Sequence, residues 1–300
     1  MLNLVAHDRR AEEPVAMSIL VASCDSYSDV WPLFFGCFWK YWPDCPYPVY
    51  LGSNSTSYTD PKVRLLLIGD DLSWATSTRR MLERIASPYI LMFVEDDTLM
   101  RKVESSAIES SLEALKTLNG GYLRLRPLPP PNQSIPSHSS IGVIARSAPF
   151  RCALQPSIWK KQLLIDLLKD GESPWGMEIN GTIRSRKLAP AFYCTWSDLL
   201  KCNFNAVIGG KWHRSAFRLA RREGIRVDFT RRPVLNRARS ARVRAITMLY
   251  FLSRILPESV ILRVKILLRI LRIIQPPRLL EMDTAPKDRH ESHVNLGGEN

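Results

Sequence analysis

Short apolar runs alternate with longer mixed segments through the first 126 residues. After a loose polar leader (residues 1–16), Ile19 to Ala22 forms a run that stops at Ser23-Cys24-Asp25, as a buried α/β strand does where it meets a ligand. Residues 30–42 (VWPLFFGCFWKYW) are dense in aromatics and predict a helix packed on that sheet. CPYPVYLGSN and VRLLLIGDD predict two further strands, each ending in turn or acidic residues. Between Ser73 and Ala86, Trp74, Met81, Leu82 and Ile85 recur at helical spacing opposite Arg79, Arg80, Glu83 and Arg84. Tyr89 to Val94 is continuously apolar and breaks off at Glu95-Asp96-Asp97. A helix over residues 103–118, closed by Asn119-Gly120-Gly121, and the strand YLRLRPL follow. Strand alternating with helix predicts an α/β fold with a mainly parallel, doubly wound sheet.

Beyond residue 126 the pattern is weaker. The proline-rich stretch 127–140 predicts a long loop, residues 159–169 a helix, and GESPWGMEING a run of turns. From about Trp212 arginine-rich helical patterns lead into ILRVKILLRILRIIQPP, where Lys265, Arg269 and Arg272 share one side of a wheel and Leu and Ile cover the other. Residues 281–300 are polar and predict a disordered end. The expected organisation is a leader (1–16), a catalytic body (17–215), a basic amphipathic helical extension (216–280) and a tail (281–300).

Charge sharpens that division. The formal charge is +13, yet residues 1–209 carry 22 basic and 21 acidic side chains, whereas residues 210–300 carry 20 and 8. A nearly neutral body with a basic extension differs from a uniformly basic protein and suggests a body attached to something that meets an anionic surface, either membrane or nucleic acid. Six cysteines lack any C-x-x-C pair, no apolar signal core is present, and the longest uncharged stretches are about half of a membrane span of roughly 20 residues. These features suggest a cytoplasmic protein with reduced thiols, peripheral to the membrane.

Three crowded carboxylates repel one another unless a cation neutralises them, and hard divalent ions choose oxygen ligands. Glu95-Asp96-Asp97 therefore reads as a clamp for Mn²⁺ or Mg²⁺ on a nucleoside diphosphate, or more plainly as a solvated loop that caps the next helix. Glu178, in Ser-Pro-Trp-x-x-Glu, is a candidate general base if Pro174 and Trp175 brace it in a partly dry cleft, with Glu172 as its competitor. Gly209-Gly210-Lys211-Trp212 suits a flexible loop closing over a diphosphate with Lys211 supplying charge, or a turn at a domain boundary. His213 is a weak candidate metal ligand, and Cys24 has no histidine partner to make it a nucleophile.

YILMFVEDDTL resembles the aspartate-rich metal motif of GT-A-fold glycosyltransferases. SCDSYSDVW, YWPDCPYPVYL, QPSIWKKQLL, GESPWGMEI and GGKW, in that order, resemble segments of a bacterial group of these enzymes linked to surface polysaccharide or lipopolysaccharide synthesis. The resemblance covers residues 18–213. It implies a GT-A-like fold, a nucleotide-sugar donor, a glycan or lipid-linked acceptor and a divalent metal. Asp97 would coordinate the metal, Glu95 and Asp96 would hold ribose or metal-bound water, and Asp25 and Tyr27 would meet the base and ribose. Gly176 stands where the group often has a second acid after the tryptophan. A positioned carboxylate base favours inversion. Two other classes remain: a nucleotidyltransferase, against which residues 18–30 offer no glycine-rich phosphate loop, and a basic nucleic-acid binder, against which the neutral body counts.

Overall fold

The computed structural model describes residues 15–241. In chain order its elements are β1 (Met17–Ala22), α1 (Trp31–Tyr41), β2 (Val49–Ser53), β3 (Val63–Leu67), α2 (Trp74–Glu83), β4 (Tyr89–Val94), β5 (Thr98–Leu99) and α3 (Ser105–Thr117). Then come β6 (Tyr122–Arg124), β7 (Gln133–Ile135), β8 (His138–Val143), β9 (Ser157–Lys160), α4 (Lys161–Leu167), α5 (Pro174–Ser185) and β10 (Phe192–Thr195). β11 (Cys202–Asn203), β12 (Val207–Ile208), β13 (Lys211–Trp212) and α6 (Arg214–Glu223) complete them. Nine strands form one sheet in the order β3-β2-β1-β4-β9-β6-β10-β8-β7. Only β9 and β8 run against the rest, so the sheet is mainly parallel, as the first 126 residues predict.

The period-2 geometry of strands sorts each strand onto two cores. Met17, Ile19 and Val21 of β1 face one side with Leu91, Phe93 and Ile158, where α1 and α3 cover them with Phe34, Phe38, Ile108 and Leu112. Leu20 and Ala22 face the other side with Ile90, Met92 and Trp159, beneath Met81 of α2, Leu164 of α4 and Met177 of α5. β1 and β4 are thus apolar along both faces because helices cover both, which is why they read as unbroken apolar runs.

Three local expectations are corrected. Residues 127–140 are not wholly loop. Their distal half forms the edge hairpin β7–β8, where an outermost strand tolerates neighbouring prolines. Trp159 lies in β9, inserted antiparallel between β4 and β6, and helix α4 begins only at Lys161. GESPWGMEING is the start of α5. Ser173 caps that helix by accepting from the Gly176 N–H, and Pro174 occupies the first turn, where its missing N–H is no loss.

The body also extends past residue 215, and its compact unit runs to Asn236. α6 lays Ala216, Leu219 and Ala220 on Val30, Leu33 and Cys37 of the α1 region, with Trp212 fully buried between them. Trp212 N–H donates to Pro233 O (3.0 Å) and Leu235 N–H to Trp212 O (2.9 Å). The first helix assigned to a basic extension is therefore part of the compact body, and its buried side faces protein. The leader up to residue 14, the face formed by Lys265, Arg269 and Arg272, and the end from Glu281 lie outside the described residues.

Candidate active site at the carboxyl edge of the sheet

Because β1, β2, β4, β6 and β10 share a direction, the segments that follow them gather along one edge of the sheet. These segments are Asp25–Tyr27, Asn54–Thr56, Glu95–Asp97, Leu125–Arg126 and Trp196–Asp198. Antiparallel β9 delivers its preceding residues, Leu154 to Pro156, to the same edge. Open α/β sheets bind ligands at this edge.

Glu95 and Asp97 are buried, at 8% and 4% exposure, and Asp96 is half-buried. Burial and the neighbouring Asp96 charge push Glu95 up to about 8, against the pull of Arg232 and the Ser23 hydroxyl. Burial raises Asp96 to about 6 although the Val207 N–H favours its ionised form. Asp97 is raised well above the usual carboxylate range by burial, then by Asp96, with Glu178 adding to the repulsion and the Asn205 N–H and Arg126 opposing it. The triplet is a pocket of oxygen ligands short of positive charge, and this fits a hard divalent cation. Among the described residues no three His, Cys, Asp or Glu side chains converge to close a metal site by themselves. A cation held at Asp97 would need phosphate oxygens to complete its shell.

Glu178 lies on α5 at the margin of this pocket, close enough to contribute to the electrostatics of Asp97. Its Oε1 accepts from the Leu154 N–H at 2.7 Å, and burial raises its pKa against the opposing effects of that hydrogen bond and of Arg124. Glu172 is engaged elsewhere. Its two oxygens accept from Arg184 at 2.7 and 2.6 Å and Oε1 also from Asn180, and these bonds hold it below the usual range. Of the two candidate bases, Glu178 alone faces the acidic pocket. Trp175 does not brace it, since the indole is 60% exposed.

Asp25 has little left to offer a nucleotide. Its carboxylate accepts from the hydroxyls of Ser53 (2.6 Å) and Ser55 (2.6 Å) and from the N–H groups of Asn54, Ser55 and Thr56. Burial would raise it, but these donors win and hold it well below the carboxylate range. Its work is to pin the loop after β2 against the loop after β1. Tyr27 stands beside the triplet, pushed up to about 12 by burial and by Glu95 and Asp96, with the Arg232 guanidinium 4.4 Å over its ring. Arg232 in turn forks onto buried Asp29 at 2.8–3.0 Å. Ser26, Asp29, Gly210, Arg231 and Arg232 line a cleft of about 220 Å³.

Lys211 sits on a β-hairpin. Ile208 pairs with Lys211 across Gly209 and Gly210, whose φ values are +54° and +69°. That is a two-residue turn requiring positive φ at both positions, so the glycine pair makes a tight turn where the sequence suggests a flexible loop. His213 N–H donates to Ala206 O, and Ala206 N–H to Asp96 O, which ties the hairpin to the acidic loop. Arg126 and Arg232 are absent from the sequence-derived site. Arg126 stacks 3.9 Å over Phe204 and pairs with Asp198 at 3.5 Å. The alternating Arg-x-Arg in YLRLRPL is the signal: it puts Arg124 at the end of buried β6 and Arg126 in the segment that follows at the sheet edge.

No protein-family model matches the chain, and no curated protein does. Among solved structures it is similar to residues 1–349 of S. aureus TarS (11% identity, TM-score 0.45), covering 76% of this chain and 69% of that one. The same protein in complex with UDP-GlcNAc is similar at 12% identity and TM-score 0.38, with 76% and 70% covered. The bifunctional IspDF of Campylobacter jejuni is similar at 13% identity and TM-score 0.38, with 63% and 52% covered. With likenesses this distant, function rests on the chain's own residues.

Proposed function

We propose that the chain is a GT-A-like glycosyltransferase that moves a sugar from a nucleotide-sugar donor to a hydroxyl of a glycan or lipid-linked acceptor, with inversion. The observation that carries the reading is the meeting of two unlike acidic groups at the carboxyl edge of the sheet. One is a charge-deficient carboxylate triplet, and the other is a separate, half-buried Glu178 that accepts from the Leu154 N–H.

Glu178 takes the acceptor proton as the hydroxyl attacks the anomeric carbon, and burial raises its pKa in the direction that makes it a better proton acceptor. Asp97 would hold Mn²⁺ or Mg²⁺ together with donor phosphate oxygens, and the cation would supply charge neutralisation of the departing diphosphate. Glu95 and Asp96 flank it as holders of ribose or metal-bound water. Tyr27 would meet the nucleotide, and Lys211, on the hairpin tied to the acidic loop through Ala206, would bring positive charge to the diphosphate. Asp25 contributes through the Asn54–Thr56 loop it holds in place.

Asp97→Asn removes one charge from the metal site at nearly constant volume. It is expected to abolish Mn²⁺-dependent donor turnover while leaving the melting curve cooperative, and unchanged turnover would overturn the metal assignment. A panel of UDP-, GDP-, CMP- and dTDP-sugars read by thermal shift with and without Mn²⁺ identifies the donor. Pyrophosphate release from a nucleoside triphosphate as its nucleotidyl group passes to a phosphorylated acceptor, with no transfer from a nucleotide sugar, would favour a nucleotidyltransferase instead. No described helix is long and apolar enough to cross a membrane. A lipid-linked acceptor would be met at the cytoplasmic face of an anionic membrane, with the basic residues beyond 236 assisting.

A further inference from the structure

α5 buries one side and leaves the other bare. Met177, Gly181, Thr182 and Ser185 face the core, whereas Trp175, Ile179 and Ile183 are 60%, 52% and 53% exposed. Their four-residue spacing aligns them in one stripe along the helix, and Arg186 follows in nearly the same direction. At 100° per residue Glu178 sits about 60° around the helix from Trp175, so the stripe runs along the lip of the cleft that holds the candidate base. Leu72, 58% exposed, extends the apolar surface past the N-terminal end of α5. Its loop is tied there by bonds from Gly171 N–H to Ser73 Oγ (3.0 Å) and from Ala75 N–H to Glu172 O (3.1 Å).

The exposed charges at the C-terminal end of the stripe are basic, whereas Asp70, Asp71 and Asp170 are exposed at its N-terminal end, around Leu72. Arg186 and Lys187 are exposed at the C-terminal end, and exposed Arg146 joins them by donating to Arg186 O (2.7 Å) and Leu188 O (2.8 Å). The exposed side of α5 carries no acid. Of the nearby acids, Glu172 is neutralised by Arg184, and Asp170 faces Arg79 at 3.7 Å and the Thr76 hydroxyl at 3.1 Å. Three side chains on one convex helix fall far short of the roughly 800 Å² per side of a stable protein interface. A tryptophan, branched aliphatics and flanking cations on a surface helix are the mixture that an anionic bilayer interface accepts.

We infer that α5 is a membrane-docking element, and that Trp175, Ile179 and Ile183 enter the headgroup–acyl boundary of an anionic membrane beside Arg146, Arg186 and Lys187. Docked in this way, the lip next to Glu178 faces the headgroup layer, where a lipid-linked hydroxyl resides. The docking goes beyond the proposed catalysis and stands or falls separately from it.

The test uses the full chain with phosphatidylglycerol/phosphatidylcholine vesicles and with phosphatidylcholine alone. Wild type is expected to float with the anionic vesicles, and Ile179→Glu/Ile183→Glu to partition about tenfold less. Lipids brominated in the acyl chain are expected to quench part of the tryptophan emission, a component lost in Trp175→Phe. That conservative change keeps the question open to measurement should the double variant fail to fold. Flotation of the double variant equal to wild type, quenching unchanged in Trp175→Phe, or no flotation of wild type would each overturn the inference. Donor hydrolysis without vesicles is expected to be the same in wild type and both variants. Its absence from all three would count against the glycosyltransferase reading and leave the docking result intact.

Discussion

At the scale of single residues, the acidic loop sets stability against function. The Glu95 pKa of about 8 in the fold compares with an ordinary value of 4.5. A carboxyl whose folded pKa is raised costs nothing while protonated. Stability is therefore greatest below about 4.5 and is lost as pH rises toward 8. Glu95→Gln removes that burden and should stabilise the protein by on the order of 2 kcal/mol at pH 8, with little effect at pH 4.5. Urea unfolding at the two pH values in a chelating buffer checks this, and equal stability at pH 8 would mean that the carboxylate is solvated. Glu178 and Glu172 make an opposite pair. Glu178→Gln should keep donor affinity and lose about 10²–10⁴-fold in turnover, the usual loss when a general base is removed. Glu172→Gln should leave turnover largely intact and lower the melting temperature, because Arg184 loses a two-pronged partner that anchors α5. A steady-state comparison of the two variants separates them, and damage to turnover from Glu172→Gln alone would reverse the assignment.

At the scale of elements, legibility in the sequence follows how local the cause of each element is. β1 and β4 are covered by helices on both faces, so their apolar runs announce them, and the acids after β4 mark the ligand edge. β9 is legible only from its neighbours: Ser-Ile-Trp-Lys is four residues long and becomes a strand because β4 and β6 hold it on either side. α5 is hidden by Pro174 and Gly176, which read as turn residues until Ser173 is recognised as a cap. The partners of the acidic loop are hidden for a different reason. Arg232 meets Asp29 across 203 residues, and no spacing rule relates them. The β12–β13 hairpin offers an element-scale test. A Cβ at Gly209 or Gly210 would meet nothing within 4 Å, so any cost of substitution is conformational. Gly209→Val should destabilise by about 1–3 kcal/mol and weaken donor affinity through Lys211, whereas Gly209→Asn should be nearly neutral, since Asn tolerates positive φ. If Val and Asn have equal effects, the hairpin is not held in this turn.

At the scale of the whole molecule, the compact body ends at Asn236 and not at residue 215. It takes half of the basic excess with it: residues 210–236 carry 8 basic and 2 acidic side chains, residues 237–300 carry 12 and 6. A chain ending at 215 would keep Trp212 while losing what buries it. Ala216, Leu219 and Ala220 would be gone from the surface of α1, together with the Phe229 ring 5.0 Å from the indole and the Pro233 and Leu235 backbone bonds to Trp212. Buried Asp29 would also lose Arg232, and stripping one partner from a buried ion pair costs about 3–5 kcal/mol. Taken with the exposed apolar surface, that loss is of the same order as the total stability of a domain. Residues 1–236 should therefore express as a soluble, cooperatively melting protein that retains donor hydrolysis, whereas residues 1–215 should aggregate or fail to melt cooperatively. Flotation of 1–236 against the full chain then isolates the contribution of residues 237–300. A basic extension that aids attachment predicts weaker anionic-vesicle binding by 1–236 and a steeper salt dependence in the full chain, since each cation near an anionic leaflet contributes about 1 kcal/mol. A soluble, active 1–215 would show that α6 is dispensable, and identical flotation of 1–236 and the full chain would remove the extension from membrane attachment.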